Sequence, residues 1–120
     1  MAEECMAVAE GAYGFGDKRF TGMIMYGENE AYVENARFYL KRLNGKRCIG
    51  FVDGTWVDGT FSDGIFSDGT WKNGTFNGGI WRNGIWQDGK WVRGIWQDGV
   101  WMKGEGDRFS KDNTSYHVDY

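Results

Sequence analysis

The middle of the chain repeats one hydrophobic position every five residues. Each residue three places after that position is a glycine, from Gly54 to Gly104. The residue before the glycine is Asp or Asn in eight of the eleven repeats, with Gly78, Arg93 and Lys103 as the exceptions. The repeated hydrophobic position is always aromatic: Phe51, Trp56, Phe61, Phe66, Trp71, Phe76, Trp81, Trp86, Trp91, Trp96 and Trp101. A strict short period of this kind predicts a repeat architecture over residues 51–104.

Each five-residue unit (pentad) predicts a very short strand followed by a turn. A period of five does not match the 3.6-residue turn of a helix, and a glycine in every repeat also disfavours helix. The aromatic and its two neighbours alternate as in a strand, and the Thr or Ile before the aromatic favours extended backbone. Asp-Gly and Asn-Gly then supply a tight turn.

Two mainly β architectures agree with this pattern. In the first, the chain coils as a right-handed β-helix with a square cross-section. Four pentads then make one coil, and the aromatic and the glycine both point inward. In the second, each Asp-Gly pair is a hairpin turn, and the strands form an up-and-down meander with all aromatics on one face.

The repeat block resembles the pentapeptide-repeat family, especially variants that read Phe-Ser-Gly-Ala-Thr. The stretch from Phe61 to Thr70, which reads FSDGIFSDGT, follows that register. Glycine replaces the small inward residue of the family, Asp or Asn replaces its turn residue, and Trp replaces its Leu or Phe. The resemblance covers about 54 of the 120 residues and implies the square β-helix, so we expect that fold in preference to the meander.

Residues 1–50 are expected to cap the array. Residues 1–18 read as a glycine-rich loop and residues 19–26 as a strand. Residues 29–44 predict a helix, with Asn29 as its N-cap and Gly45 as its stop. An apolar stripe at helical spacing would dock this helix on the first coil, because repeat arrays need a cap at each end. The stripe consists of Tyr32, Ala36, Tyr39, Leu40 and Leu43.

Residues 105–120 are expected to form a polar C-terminal tail or cap. Either they make a short final strand or lid over the last coil, or they fray. The apolar residues available for a lid are Phe109, Tyr116, Val118 and Tyr120. If an end of the array stays open, we expect it to allow homo-oligomers.

The composition predicts one soluble cytoplasmic domain, of a bacterium, a phage or another host. The net charge is −3, no basic run suggests a nucleic-acid arm, and no stretch is apolar enough to span a bilayer. The N-terminal residues do not predict a signal peptide. Cys5 and Cys48 are expected to be free thiols in a reducing compartment.

No catalytic, cofactor-binding or metal-binding set is predicted. His117 is the only histidine and lies far in sequence from both cysteines. The Lys41, Arg42, Lys46 and Arg47 cluster complements the predicted helix end, with phosphate binding as the alternative. We therefore expect a non-enzymatic binding or structural module.

Three functions agree with such a module. The first is a scaffold that presents a rigid repeat surface to a protein partner. The second is a DNA-mimic inhibitor of a DNA-binding enzyme, which the family resemblance implies and which needs an acidic surface. The third is a ligand or nucleic-acid binder that stacks bases on open Trp side chains. We rank them in that order and do not expect nucleic acid or membrane as partners.

The candidate partner-binding residues are the first four turn positions of the array, which are all acidic. They are Asp53, Asp58, Asp63 and Asp68. In a four-sided helix they would occupy the four corners of the first coil. One interpretation is that Asp is simply a good turn residue. The other is that these carboxylates form a docking ring for a basic partner.

Overall fold

The computed structural model describes residues 5–106, and every regular element in that range is a β-strand. All of these strands belong to one continuous sheet. In chain order they are β1 (Cys5–Ala7), β2 (Gly11–Tyr13), β3 (Phe20–Tyr26), β4 (Asn29–Leu43), β5 (Lys46–Phe61), β6 (Gly64–Phe66), β7 (Thr70–Trp71), β8 (Thr75–Phe76), β9 (Ile80–Trp81), β10 (Ile85–Trp86), β11 (Lys90–Trp91), β12 (Ile95–Trp96), β13 (Val100–Trp101) and β14 (Glu105–Gly106).

The repeat block is a β-solenoid of parallel strands, which confirms the predicted coiled architecture. Phe51 pairs with Phe66, and Phe66 pairs in turn with Trp81. Trp56 pairs with Trp71 in the same way. A meander would place consecutive strands side by side in antiparallel pairs. Here each strand of the array pairs with the strand one coil away, so the meander alternative does not describe the array.

The coil has three sides, which corrects the predicted square cross-section. Phe51 and its partner Phe66 are three pentads apart, so one coil takes fifteen residues. One aromatic side chain points inward from each side, while the glycine lies at the corner. Rings on adjacent sides meet edge to face, as in Phe51–Trp56 and Trp56–Phe61, with centroids 5.8 and 5.5 Å apart. Three such rings fill a triangular coil, whereas a square one would leave space that protein interiors do not leave empty.

The array has three faces and three corners. The first face carries Phe51, Phe66, Trp81 and Trp96; the second carries Trp56, Trp71, Trp86 and Trp101; the third carries Phe61, Phe76 and Trp91. The first corner, between the first two faces, contains Asp53, Asp68, Asn83 and Asp98, each followed by glycine. The second corner contains Asp58, Asn73, Asp88 and Lys103, and the third contains Asp63, Gly78 and Arg93.

The corner glycines are required by both conformation and space. Gly84 has φ of 121°, a region that residues with a side chain rarely adopt. A Cβ atom at Gly84 would also lie 2.5 Å from the carbonyl oxygen of Gly69, one coil below. The chain therefore turns sharply at each corner and stacks directly on the coil beneath, which explains a glycine in every pentad.

The core consists of aromatic columns that run along the solenoid axis. Trp71 lies between Trp56 and Trp86, with ring centroids 4.9 and 4.8 Å away and nearly parallel planes. Phe66 and Trp81 are closer still, at 4.2 Å. Each aromatic pair adds about 0.5–1.5 kcal/mol beyond the burial of its area. The aromatic side chains from Phe51 to Trp101 are at most 5 % exposed, so the core is closed.

The predicted capping helix over residues 29–44 is wrong, because this segment is the strand β4. Its inward residues alternate on either side of one irregular position, Asn35, which has φ of 52°. The predicted stripe mixes the two faces of this strand, because Ala36 and Leu40 are buried whereas Tyr39 and Leu43 are 40 % and 49 % exposed. The buried inward side chains are Ala31, Val33, Ala36, Phe38 and Leu40.

The actual cap is a strand that follows the coil in the reverse direction. β4 pairs antiparallel with β5 along nearly its whole length, from Glu30 opposite Thr60 to Leu43 opposite Lys46. The two strands join through Asn44 and Gly45, which both have positive φ, as in the tight hairpin turns that suit twisted strands. β3 and β2 pair with the other edge of β4, and β1 pairs with β3. The predicted strand at 19–26 is confirmed as β3, whereas the prediction of a loop over residues 1–18 is wrong for the two segments that form β1 and β2.

Asn29 closes the seam where the cap meets the first coil. Its side chain is fully buried, and its Nδ2 donates to the carbonyl oxygens of Tyr26 and Arg47, both at 3.0 Å. Its Oδ1 accepts from the amides of Ser62 at 2.7 Å and Asp63 at 3.4 Å. One side chain thus satisfies backbone groups from three segments, which lets strand, hairpin and coil share one core.

The boundary predicted between residues 50 and 51 falls inside β5, so cap and array form one sheet and one hydrophobic cluster. The predicted C-terminal tail lies mostly outside the described residues, as do Phe109, Tyr116, His117, Val118 and Tyr120. Of that tail, β14 extends the array by pairing with β11, and Gly106 takes the position opposite Trp91.

Candidate functional site

The four candidate aspartates do not form the corners of one coil. Asp53, Asp58 and Asp63 mark the three corners of the first coil, and Asp68 lies directly above Asp53 at the first corner, because the coil repeats every fifteen residues. The first coil therefore carries a ring of three aspartates rather than four, and the fourth stands above Asp53 in the second coil.

Most of these aspartates have a structural role in the turn. The Oδ1 atoms of Asp58, Asp63 and Asp68 each accept a hydrogen bond of 2.8 Å from the amide of the glycine that follows. Asp88 and Asp98 repeat this contact at the same distance. The turn interpretation of the acidic residues thus has a direct geometric basis, and it uses one oxygen of each carboxylate.

Two of the aspartates are neutralised by the cap. Asp53 accepts from Arg37 through both of its oxygens and from Nη1 of Arg19 at 3.1 Å. The hydrogen bond from Arg37 is the main cause that lowers the pKa of Asp53 below its ordinary value. Asp63 lies 3.5 Å from the Nζ atom of Lys46. These two carboxylates tie the cap to the array.

The other two aspartates keep their charge uncompensated. Within residues 5–106, no cationic group lies within 4.0 Å of Asp58, Asp68 or the equivalent corner residue Asp98. All three are exposed. Asp68 and Asp98 lie on the first corner and Asp58 lies on the second, so they border the second face from both edges.

The second face carries an exposed column of β-branched side chains between those edges. Thr55, Thr70, Ile85 and Val100 stand one above another in the parallel register. Ile85 and Val100 are 40 % and 41 % exposed, close to the 40 % of Ile95 on the first face. The solenoid fixes the spacing of this column at about 4.8 Å per coil. The face therefore offers a rigid apolar strip with Asp68 and Asp98 along one edge, while its other edge carries Asp58, Asn73 and the ion pair of Asp88 with Lys103.

The first face carries a second apolar column, which shares the first corner as one border and has the third corner as the other. Ile65, Ile80 and Ile95 are stacked in register. Below them Gly50 pairs with Tyr39 and leaves a small apolar notch, at which the buried thiol of Cys48 lies. Burial is the main cause that raises the pKa of this thiol. Among the described residues Cys48 is a free thiol; the side chain of Cys5 lies outside them.

The aromatic side chains are enclosed, which matters for the alternative function in which nucleic-acid bases stack on open Trp side chains. Base stacking needs an open aromatic face, and the rings of the array stack on one another instead. In the described part of the chain, the indole N–H groups of Trp56, Trp71, Trp81, Trp86 and Trp91 have no hydrogen-bond acceptor. Ring packing, rather than hydrogen bonding, therefore stabilises their burial.

Two kinds of feature would bear on function in residues 5–106: a cluster of metal-binding side chains and a helix that spans a membrane. No group of three or more His, Cys, Asp or Glu side chains in this range is placed to hold a metal ion. The same part of the chain contains no helix able to cross a membrane.

Sequence reasoning missed the second face because it read the repeat in fours. With a coil of four pentads, Thr55 would stack on Thr75 and Ile95, which in the structure lie on the third and first faces. Reading the residue before each aromatic at intervals of fifteen gives the run Thr55, Thr70, Ile85 and Val100 directly from the sequence.

The comparisons with known proteins give no family. No family model matches the chain, and neither a curated protein nor a solved structure matches it. The resemblance to the pentapeptide-repeat family therefore stays a prediction from the residues.

Proposed function

We propose that this chain is a non-enzymatic interaction module whose second face docks a protein partner. The observation that carries the proposal is the exposed column ending in Ile85 and Val100, bordered by the uncompensated carboxylates of Asp58, Asp68 and Asp98. A complementary partner presents an apolar strip flanked by basic side chains. Asp53 and Asp63 act differently in this proposal, because their charges already hold the cap.

The rigidity of the array supports a docking role. Every outward side chain on the second face is fixed by a strand that is hydrogen-bonded to the coil below, as from the amide of Gln87 to the oxygen of Trp71 at 2.8 Å. A preorganised surface loses little conformational freedom on binding. We expect the module to act in the cytoplasm, with which the free thiol of Cys48 agrees.

The test compares the two apolar columns. Ile85→Arg places a cation on the second face, and Ile80→Arg makes the same change at the same pentad position on the first face. Each variant and the unmodified protein are used to capture proteins from a lysate of the native host. A partner retained by the unmodified protein and by Ile80→Arg, but lost by Ile85→Arg, supports the proposal. Equal capture by both variants contradicts it.

The carboxylates are tested by exchange for asparagine, which keeps the turn hydrogen bond. With the captured partner purified, Asp58→Asn, Asp68→Asn and Asp98→Asn together should slow association and reduce its dependence on salt. An association rate with unchanged salt dependence would leave these residues with a turn role only.

The DNA-mimic function remains the second candidate, since the first corner carries three aspartates on one edge, Asp53, Asp68 and Asp98. Asp53 is paired with Arg37, which shortens the acidic row. Duplex DNA added to the capture experiment separates the two functions. A partner displaced by DNA favours mimicry, whereas one that resists DNA favours the scaffold.

A further inference from the structure

A polar groove opens where the third corner meets both hairpin turns of the cap. It has a volume of about 280 Å³ and is lined by three cations and two carboxylates among its side chains. The cations are Lys46, Arg47 and Arg93, and the carboxylates are Glu28 and Asp63. It lies on the third corner, away from the second face to which the proposed protein partner binds.

Of the two carboxylates in the groove, Asp63 has a cationic partner and Glu28 has a neutral one. Asp63 accepts from the amide of Gly64 at 2.8 Å and faces Lys46 at 3.5 Å. Oε1 of Glu28 accepts from the hydroxyl of Ser62 at 3.3 Å. Among residues 5–106, neither Arg47 nor Arg93 has a carboxylate within 4.0 Å. In this described range, the groove therefore contains two unpaired guanidinium groups and one unpaired carboxylate, that of Glu28.

The fold holds Arg47 in a defined place. Its side chain lies across Gly27, where a Cβ atom would be 3.0 Å from Cβ of Arg47 and 3.1 Å from its Cδ. Its guanidinium carbon lies over the ring of Tyr26, 5.8 Å from the centroid. A cation held over an aromatic ring and against a glycine loses little freedom when it binds a ligand.

Arg93 is fixed from the opposite side of the groove. Its Nε donates to the carbonyl oxygen of Asn77, one coil below, at 3.3 Å. Between Arg93 and Asp63 the third corner carries Gly78 in place of the usual Asp or Asn. An aspartate there would stand one coil below Arg93, so the glycine leaves the guanidinium unneutralised.

The departures from the repeat thus coincide in space. Of the three pentads without Asp or Asn before the glycine, two lie at this corner, at Gly78 and Arg93. Gly78 has a steric reason, since it is buried and a Cβ atom there would lie 3.0 Å from the carbonyl oxygen of Ser62. Arg93 breaks the repeat without such a reason and is therefore a candidate for function.

We propose that this groove binds the phosphate group of a small ligand, with Arg47 and Arg93 as its ligands. The planar guanidinium fork donates two parallel hydrogen bonds to phosphate oxygens, and the two forks outnumber the one unpaired carboxylate of Glu28. The site is separate from the second face, and its failure would leave the docking proposal unaffected.

The experiment is a titration of the full chain at low ionic strength, in which NMR measures the chemical shifts of the backbone amides. The probes are inorganic phosphate, glycerol 3-phosphate and, at matched ionic strength, sodium chloride. We expect saturable shifts at Gly27, Gly45 and Asn77 with both phosphates and none with chloride. Tighter binding of glycerol 3-phosphate identifies a phosphomonoester as the ligand class, and tighter binding of inorganic phosphate identifies the free ion.

Three variants define the site, with one matched control. Arg47→Gln and Arg93→Gln should each raise the dissociation constant for phosphate by about tenfold or more. Gly78→Asp places a carboxylate one coil below Arg93 and should abolish binding; because Gly78 is buried and a Cβ atom there would lie 3.0 Å from the carbonyl oxygen of Ser62, circular dichroism checks that this variant is folded. Arg82→Gln removes an exposed arginine on the first face and should leave binding unchanged. Absence of saturable shifts, or an equal loss in Arg82→Gln, overturns the proposal.

Discussion

Arg37 holds the carboxylate of Asp53 with two guanidinium nitrogens, and the Nε–Oδ1 distance is 3.1 Å. Arg37 belongs to the reversed strand β4, and Asp53 is the first corner residue of the array. This ion pair therefore connects the cap to the first coil of the array. Because its charge-assisted hydrogen bonds need an ionised Asp53, the pH affects how strongly the cap is attached to the array.

We expect this pair to make stability depend on acid pH. The pKa of Asp53 is lowered in the folded state, mainly by its hydrogen bond with Arg37. Its stabilisation is therefore complete above the unfolded pKa of about 3.9 and is lost as the pH falls toward the folded value. Asp53→Asn should lower the melting temperature at neutral pH and have a smaller effect below about pH 4. Asp58→Asn, which breaks no ion pair within residues 5–106, is the control.

A second prediction concerns the corner glycines. Gly84→Ala places a Cβ atom 2.5 Å from a backbone oxygen at φ of 121° and should cost about 3 kcal/mol or more. Gly50→Ala is the control, because its Cβ would meet only the Tyr39 side chain, at 3.8 Å. Urea unfolding of both variants measures the difference. Similar stabilities would show that the corners tolerate a side chain.

The buried seam residue gives a third prediction. Asn29→Ala leaves two carbonyl oxygens and two amides without their side-chain partner, and we expect a loss of about 2–5 kcal/mol. Asn83→Ala, at an exposed corner, should change the free energy of unfolding by about 0.5 kcal/mol or less. Denaturant unfolding followed by Trp fluorescence provides the measurement. A small effect of Asn29→Ala would mean that water replaces the amide.

The aromatic columns should accept phenylalanine in place of tryptophan better than they accept alanine. Within the described residues the indole N–H of Trp56 has no acceptor, and phenylalanine occupies the same pentad position at four sites in the array. Trp56→Phe removes volume but no hydrogen bond, whereas Trp56→Ala should cost about 3–5 kcal/mol. Equal destabilisation by both substitutions, measured by thermal unfolding, would indicate a specific role for the indole.

The thiol of Cys48 should be protected in the folded protein. Burial raises its pKa, so little reactive thiolate is present at mildly alkaline pH. In a Cys5→Ser variant, reaction with a disulfide reagent should be slow until denaturant is added. Fast reaction of the native protein would mean that the notch beside Gly50 opens readily.

The solenoid was predictable from the sequence because its signal is repeated eleven times. The strand, turn and inward aromatic of each pentad follow from local rules, and all three are observed. The number of sides is not a local property. It depends on how many large rings fill one cross-section, and the edge-to-face contacts of Phe51, Trp56 and Phe61 decide it.

The cap was not predictable in the same way. Residues 29–44 contain good helix formers, and the predicted stripe mixed buried Ala36 and Leu40 with exposed Tyr39 and Leu43. Pairing with β5 overrides that preference. The sequence indicated the turn role of the four candidate aspartates. It did not indicate that Arg37 and Lys46 neutralise two of them.

The fifteen-residue coil also governs how such a chain changes in length. The segments 84–93 and 94–103 are near-duplicates ten residues apart, yet Trp86 lies on the second face and Trp96 on the first. A pentad therefore belongs to no particular face. Inserting one pentad rotates everything after it by a third of a turn and raises it by about 1.6 Å. Growth by three pentads lengthens every surface column, whereas growth by one or two exchanges the columns among the faces while the core is preserved.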